Sequence, residues 1–325
     1  MEDHRTPDEH ERKHEGRHVV VGAGPVGSRT ALLLAEQGHA VRVVTRSGRG
    51  PVHPDIERVA ADAARPGTLT ELAAGAPAIY NCANPAYHRW ATDWPPLAAE
   101  MLDAAARNGA VLVITGNLYP YGPVDHPMTE DDPLAATFTN GRVRARMWDD
   151  ALAAHHAGRV RVTEARAADY FGPGLSDTSH LGRVIPRVLA GKRVRVFGDP
   201  DLPHSWTYVP DVARALVTLA TDPRAWGRAW HVPTAAPRTQ RDMIAEFAAI
   251  AGLDTPPVSA LPRAALAAAG LVSPMMRSLR DAEYQFDRPF VVDSSRFTDT
   301  FGVDPTSTHD ALAATYASWT TAVAA

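Results

Sequence analysis

Residues 19–49, VVVGAGPVGSRTALLLAEQGHAVRVVTRSGR, decide the fold. Val19 to Val21 is an apolar run short enough for a buried strand. Gly22, Gly24 and Gly27 follow it in G-x-G-x-x-G spacing. A helix-forming run, Ser28 to Gln37, is closed by Gly38, and Val41 to Thr45 supplies a second apolar strand. A glycine triplet alone says little. Between a strand and a helix, inside about thirty residues, it marks a dinucleotide-binding β-α-β unit. Each glycine has a task there. Gly22 allows the tight turn, Gly24 lets backbone approach a pyrophosphate, and Gly27 lets the helix lie close to the sheet. Pro25, Val26 and Gly27 lie at the N-terminus of the helix, whose free N–H groups and partial positive charge favour phosphate.

The end of the second strand bears on which dinucleotide. A site for NAD places Asp or Glu there to bond the ribose 2′-OH. Here the strand runs into Thr45-Arg46-Ser47-Gly48-Arg49, with no acid. A guanidinium pairs in two-pronged fashion with a 2′-phosphate, which an acid would repel. The reading is NADP(H) in preference to NAD(H), with Arg46 as first contact and Ser47 or Arg49 assisting. The plainer alternative is a solvated basic turn with NAD bound.

The chain has 325 residues, 45% hydrophobic and 22% charged, which suits a globular protein with a sizeable core. Its net charge of -4 argues against a general nucleic-acid binder. A single cysteine, Cys82, excludes an internal disulfide and a cysteine-based zinc cage, and no metal site is expected. No apolar run reaches membrane-spanning length and no signal peptide is visible, so a soluble cytoplasmic protein is the default. Residues 1–16 are charged and nearly free of large apolar side chains, the composition of a disordered tail.

Strand and helix signals alternate onward: strands at Arg58–Ala61, Ala78–Ala83, Ala110–Thr115 and Arg159–Ala165, with helices at Leu97–Asn108 and about Gly141–Ala157. That rhythm predicts an α/β protein with a Rossmann-type doubly wound parallel sheet. A dinucleotide-binding domain over 17–170, with parts of 205–235 returning to it, is expected beside a smaller, interleaved substrate domain over 171–325. In the latter, helices are expected at Leu181–Ala190, bent at Pro186, from Asp211 to Ala220, and over Thr239–Ala251 capped by Thr239. A two-piece helix is expected over Ala260–Glu283, and a last helix from His309 to about Val323. The segment 84–96, NPAYHRWATDWPP, reads as an aromatic loop, either a lid or wall over a substrate pocket or a packing surface.

These features together resemble the extended short-chain dehydrogenase/reductase superfamily, in its NAD-dependent epimerase/dehydratase branch, over about residues 18–320. Besides the glycine turn, Asp62 looks like the family's adenine-contacting Asp, and Tyr121-Gly122 like its Tyr-Gly after the fifth strand. Tyr170 to Gly174 looks like the turn after the sixth strand. Val209-Pro210-Asp211-Val212-Ala213-Arg214-Ala215 is similar to its V-x-D-V-A-x-A segment. With Arg46 and Ser47 from the strand end, the resemblance implies a cofactor set of Gly22, Gly24, Pro25, Val26, Gly27, Arg46, Ser47, Asp62, Ala83, Arg144 and Tyr170. It also implies a homodimer acting on a small-molecule substrate.

The family's chemistry uses a Ser or Thr after the fifth strand and a Tyr-x-x-x-Lys on the next helix. Registered on Tyr121-Gly122, those positions fall on Asn117, Asn140 and Arg144. The only lysines are Lys13 and Lys192, so no shift of register restores the motif. Asn140 cannot supply a proton. Arg144 can bond the ribose or neutralise an oxyanion, and Asn117 can donate to a carbonyl oxygen. Tyr119 and Tyr121 are the remaining proton donors near the strand edge. Tyr119 is preferred, because Tyr121 matches a residue often structural in the family, and a cation such as Arg144 nearby is expected to lower its pKa. His88, His204 and His231 are alternative acid–base groups. Tyr87, Trp90, Tyr121, His204 and Trp206 are the expected substrate contacts. The reading preferred on sequence is an NADP(H)-dependent carbonyl-type reductase of a small apolar or aromatic metabolite with a rebuilt site. The alternatives are a nucleotide-sugar epimerase or dehydratase, and a non-catalytic NADP(H)-binding sensor or partner protein.

Overall fold

Short β-branched runs alternate with helices of Ala, Leu and Arg, and the chain lays these down as strand and helix in turn. The computed structural model describes residues 16–175, 179–262 and 282–324. In chain order its strands are β1 (His18–Val21), β2 (Val41–Thr45), β3 (Ile56–Ala60), β4 (Ala78–Asn81), β5 (Val111–Asn117), β6 (Arg161–Ala167), β7 (Asp169–Phe171), β8 (Val194–Val196), β9 (Trp206–Tyr208), β10 (Arg228–His231) and β11 (Val258–Ala260). The described helices are α1 (Pro25–Glu36), α2 (Thr68–Leu72), α3 (Trp90–Asn108), α4 (Thr139–His156), α5 (His180–Leu189), α6 (Val209–Thr221), α7 (Gln240–Ile250), α8 (Ser295–Phe301) and α9 (Thr308–Ala324).

Seven strands form one parallel sheet in the order β10-β6-β5-β4-β1-β2-β3. This is the doubly wound arrangement expected. The chain moves one way from β1 to β3 and the other way from β4 outward. The crevice beyond the carboxyl ends of β1 and β4 is therefore the topological switch point, where such sheets bind ligands. Alternation along each strand sends Val20, Val43 and Tyr80 to the face covered by α1 and α6. Val19, Val21 and Ile79 go to the face covered by α2, α3 and α4. Outside the sheet, α5, α7 and α9 bury Ile185, Phe247 and Leu312 in a core of their own. Each such side chain contributes ~1.5–3 kcal/mol by leaving water. Asp211 joins this part to the sheet: its carboxylate accepts from both the backbone N–H and the hydroxyl of Thr306, each at 2.7 Å.

Two expectations change. The aromatic segment is not a loop up to Pro96: a short 3₁₀ turn, Tyr87–Arg89, runs into α3, which starts at Trp90 and continues through Pro95 and Pro96. The burial of Trp90 and Trp94 against the sheet outweighs the two backbone hydrogen bonds the prolines cannot make. Tyr170 and Phe171 belong to β7, which pairs in parallel with β9. The helix α8 lies where the sequence reading named no element. The cap at Thr239 is a full capping box with Asp242, as its position at the helix start suggests. The tail over 1–15 and the expected helix break at Ser273-Pro274 lie outside the described residues.

Candidate active site

The glycine turn has the geometry its spacing requires. Gly22 has φ of +100°, and a Cβ there would meet the Cys82 carbonyl oxygen at 2.6 Å. At Gly27 a Cβ would lie 2.1 Å from the Gly22 carbonyl oxygen. Gly24 is different: nothing lies within 4 Å of its absent Cβ. Open space at the middle glycine, with closed packing at the other two, is a cradle for a phosphate-sized group. Pro25 opens α1 where no N–H is needed, no side chain caps the helix, and its first turn holds no acid. The first intrahelical bond is Ser28 N–H to Gly24 O, which leaves the N–H groups of Val26 and Gly27 for a ligand. These residues fit a dinucleotide pyrophosphate.

At the end of β2, Gly48 closes a tight turn onto the Thr45 carbonyl, and Ser47 Oγ accepts from the Arg49 N–H at 3.3 Å. Arg46 and Ser47 are exposed there, and the Arg46 guanidinium has no partner among the described residues. Asp62 is exposed beyond β3, with Oδ1 accepting from the Ala64 N–H.

From the glycine turn a cleft of about 290 Å³ runs along the sheet edge. Gly24, Pro25, Val26 and Ala83 line one end. Tyr87, Trp90, Asn117, Tyr119, Arg144 and Tyr170 line its length, joined by Asp169, His180, Arg183, Gln285 and Phe290. Cys82 also faces it as a buried thiol pushed up to about 11 by desolvation. Of the expected cofactor residues, Gly24, Pro25, Val26, Ala83, Arg144 and Tyr170 share this space, whereas Gly22, Gly27, Arg46, Ser47 and Asp62 do not line it, and several residues expected at the chemistry or substrate lie elsewhere.

Asn140 is buried at the start of α4 and its Nδ2 donates to the Tyr87 carbonyl at 3.2 Å. It ties the aromatic turn to α4 and is not on the cleft wall. Tyr121 points inward, accepting from Arg166 at 2.7 Å and bonding His231 Nε2 at 2.8 Å. Trp206 donates to the Arg238 carbonyl within the core. His204 is buried and bonds Asp169 behind the cleft wall. The expected substrate contacts Tyr121, His204 and Trp206 therefore do not line the cleft, because the 3₁₀ turn Tyr119–Tyr121 and strand β9 send them inward. Asn117 behaves as a turn residue, its Oδ1 accepting from the Tyr119 N–H at 3.2 Å.

Arg144 does reach the cleft, but as a buried group. Its guanidinium donates to the Thr115 carbonyl, stacks over Trp94 at 5.0 Å and lies 3.9 Å from Glu164. Glu164 also holds Arg166 at 2.8 Å. Burial lowers the Arg144 pKa, opposed by Glu164. Arg144 does act to lower the Tyr119 pKa, as expected, but larger influences outweigh it. Burial first, then the Asp169 charge, push Tyr119 up to about 12, and Arg144 is the smallest opposing influence. Tyr119 is thus a protonated phenol at neutral pH, set among Tyr87, Trp90 and Phe138 at ring distances near 6 Å.

Sequence reasoning missed Asp169 and His180. Asp169 starts β7 and lies between two imidazoles: His204 Nε2 is 2.7 Å from Oδ2, and His180 Nε2 is 3.7 Å from Oδ1. Burial alone would raise its pKa, but His180, His204 and Arg183 together hold it below the usual carboxylate range. The available signal was an acid directly before Tyr170 and a histidine directly after Ser179, a helix cap.

Comparisons with known proteins place this geometry in a class. The model of the NAD dependent epimerase/dehydratase family matches residues 18–232. The chain belongs to that family. It is 29% identical over 224 residues to dTDP-glucose 4,6-dehydratase of Streptomyces griseus, covering 67% of this chain and 61% of that protein. It is 28% identical over 227 residues to UDP-glucuronic acid decarboxylase 1 of Xenopus tropicalis, covering 62% of this chain and 52% of that protein. The matched region is thus less than two thirds of either relative. Among solved structures, MoeE5 in complex with UDP-glucuronic acid and NAD superposes with a TM-score of 0.78 at 21% identity, over 94% of this chain and all of that one. That likeness shows the fold. Among the described residues no helix is long and apolar enough to cross a membrane.

Proposed function

We propose that this chain binds a nicotinamide dinucleotide along the carboxyl edge of its sheet and acts on a nucleotide sugar as an oxidoreductase of the epimerase/dehydratase type. One observation carries the reading: a single cleft holds both the open Gly24 turn and the titratable groups Tyr119, Arg144, Asp169 and His180. The nicotinamide, when bound, supplies hydride acceptance and return. The rest falls to the chain's own residues. Val26 and Gly27 offer N–H groups to the pyrophosphate. Tyr119 donates a hydrogen bond to a substrate oxygen and, at its raised pKa, does not act as a phenolate. Arg144 places a fixed positive charge where negative charge grows on that oxygen. Tyr87 and Trp90 exclude water from one side. The dehydratase and decarboxylase relatives support a nucleotide sugar over the free apolar metabolite that the aromatic segment first suggested.

For the cofactor, Arg46 with Ser47 supports NADP(H), whereas the named structural neighbour holds NAD. The missing α4 tyrosine supports a second reading, a dinucleotide-binding protein without turnover. Fluorescence titration with NADPH and NADH comes first. Incubation of the loaded protein with dTDP- and UDP-hexoses and their keto forms follows, read by nicotinamide absorbance and proton NMR. Binding with conversion of a sugar supports the main reading. Binding with no conversion supports the second, and no binding of either dinucleotide overturns both.

A further inference from the structure

The α4 helix offers no proton-transferring group to the cleft, yet hydride transfer from a carbinol needs a base to take its O–H proton. The cleft contains a second pair of groups that has the required arrangement. Ser179 caps α5 by accepting from the Gly182 N–H at 3.0 Å, which fixes His180 in the first turn. The imidazole packs on Phe286 at 4.4 Å and Phe197 at 5.7 Å. Its Nε2 faces Asp169 Oδ1 at 3.7 Å, while its Nδ1 is buried without a hydrogen-bond partner. Asp169 is itself held, because His204 occupies Oδ2 and stacks on Phe286 at 4.8 Å. A carboxylate on one ring nitrogen and an unpaired second nitrogen is how a general base is oriented.

We propose that His180, oriented by Asp169, is the proton-transferring residue of this site, supplied from α5 in place of the tyrosine missing from α4. The inference rests on the oxidoreductase reading. In the oxidative direction the carbinol O–H bond breaks and its proton goes to Nδ1. The C–H hydrogen leaves with its electron pair to the oxidised nicotinamide, and the carbinol becomes a carbonyl. In reverse, Nδ1–H returns the proton to the alkoxide. Asp169 acts as a positioning residue, holding the proton on Nε2 and stabilising the imidazolium. The charged and titratable groups facing His180 are Asp169 from β7, Arg183 one turn along α5 and His204 ahead of β9. Burial, aided by Arg183 and His204 against Asp169, lowers His180 to about 4. The ring is therefore neutral at neutral pH, with its lone pair free.

The test uses His180→Gln, His180→Ala and Asp169→Asn in the full chain. His180→Gln is expected to bind dinucleotide and nucleotide sugar as the wild type does and to lose ~100-fold in kcat. Added imidazole is expected to restore part of the rate in His180→Ala. Retention of wild-type kcat in His180→Gln, with its sugar turned over, overturns the proposal. A second readout needs no turnover: the ¹⁵N shifts of His180 in the free protein. The Nε2–H tautomer is expected at neutral pH and is expected to lose its bias in Asp169→Asn. An Nδ1–H tautomer, or no change in Asp169→Asn, overturns the pairing. Wild-type protein that binds no dinucleotide marks failure of the functional reading instead, and the tautomer measurement then decides the pairing alone.

Discussion

At the α1 end of the cleft recognition is written in backbone, and at the α4–α5 end in side chains. The first end needs a positive φ at Gly22, a close approach at Gly27 and open space at Gly24, all within six residues. The second draws Tyr119 from the turn after β5, Arg144 from α4, Asp169 from β7 and His180 from α5. Backbone requirements admit one residue type and stand together in the chain. Side-chain constellations admit substitutes and are brought together only by folding. The first end keeps the family's glycine spacing in this chain, and the second carries Asn140 and Arg144 at the positions where the resemblance puts Tyr and Lys.

The glycines offer the strongest way to break that contrast. In Gly27→Val the new Cβ would lie 2.1 Å from the Gly22 carbonyl and 3.0 Å from Cys82 Cβ. Strand and helix must separate, so a loss of more than ~4 kcal/mol is expected in denaturant unfolding. In Gly24→Val the side chain enters open space. The Tm is expected to stay at the wild-type value while dinucleotide affinity falls ~100-fold, about 2.7 kcal/mol. Equal stability losses in the two variants would remove the distinction between scaffold glycine and cradle glycine.

Arg144 tests the other end. Its guanidinium sits on the Thr115 carbonyl and Trp94, within 3.9 Å of Glu164. Arg144→Met leaves that carbonyl and part of the Glu164 charge unpaired in a dry site, which costs about 3 kcal/mol. Urea unfolding measures it. A variant as stable as the wild type, yet unable to bind dinucleotide, would make Arg144 a ligand contact and not part of the frame.

The sheet was legible because its signals are local: apolar strands at short range, a glycine turn, and a threonine cap three residues before an acid. Asn140 and Arg144 were legible only as the positions where the resemblance, registered on Tyr121-Gly122, puts Tyr and Lys; that both are buried was not. Side-chain direction was not legible in tight turns. Tyr119 and Tyr121 are two residues apart, yet one faces the cleft and the other bonds His231 and Arg166. A 3₁₀ turn decides this, and its presence depends on Pro120 and on what α4 packs against it. Asp169 and His180 meet only because β7 pairs with β9 and α5 starts where Ser179 caps it, neither of which composition reveals.

Each region also contains a buried imidazole, which gives a prediction in pH. His18 opens β1 and bonds the Tyr80 hydroxyl at 3.1 Å. Burial, then the nearby His39, lower it from 6.5 to about 4, and His180 is lowered to about 4 as well. Between these values the unfolded chain takes up a proton that the folded chain refuses. Stability is therefore complete above pH ~6.5 and falls as pH drops toward ~4, on the order of 3 kcal/mol per group. Urea unfolding across that window measures the slope. His18→Gln and His180→Gln are each expected to flatten it, and a slope untouched by both would mean neither imidazole is held neutral.

The smallest expected effect lies back at the glycine end, where the one side-chain decision is Arg46. It is exposed and without a partner among the described residues, so Arg46→Ala breaks no described contact and its Tm is expected to match the wild type. If the guanidinium meets a 2′-phosphate, NADPH affinity falls ~10-fold, about 1.4 kcal/mol, while NADH affinity holds. The salt dependence of NADPH binding weakens in the same variant, because one exposed charge pair has been removed. An equal, small loss for both dinucleotides would reduce Arg46 to a diffuse positive field. The NADP(H) preference would then have no residue behind it, and this end of the cleft would rest on backbone alone.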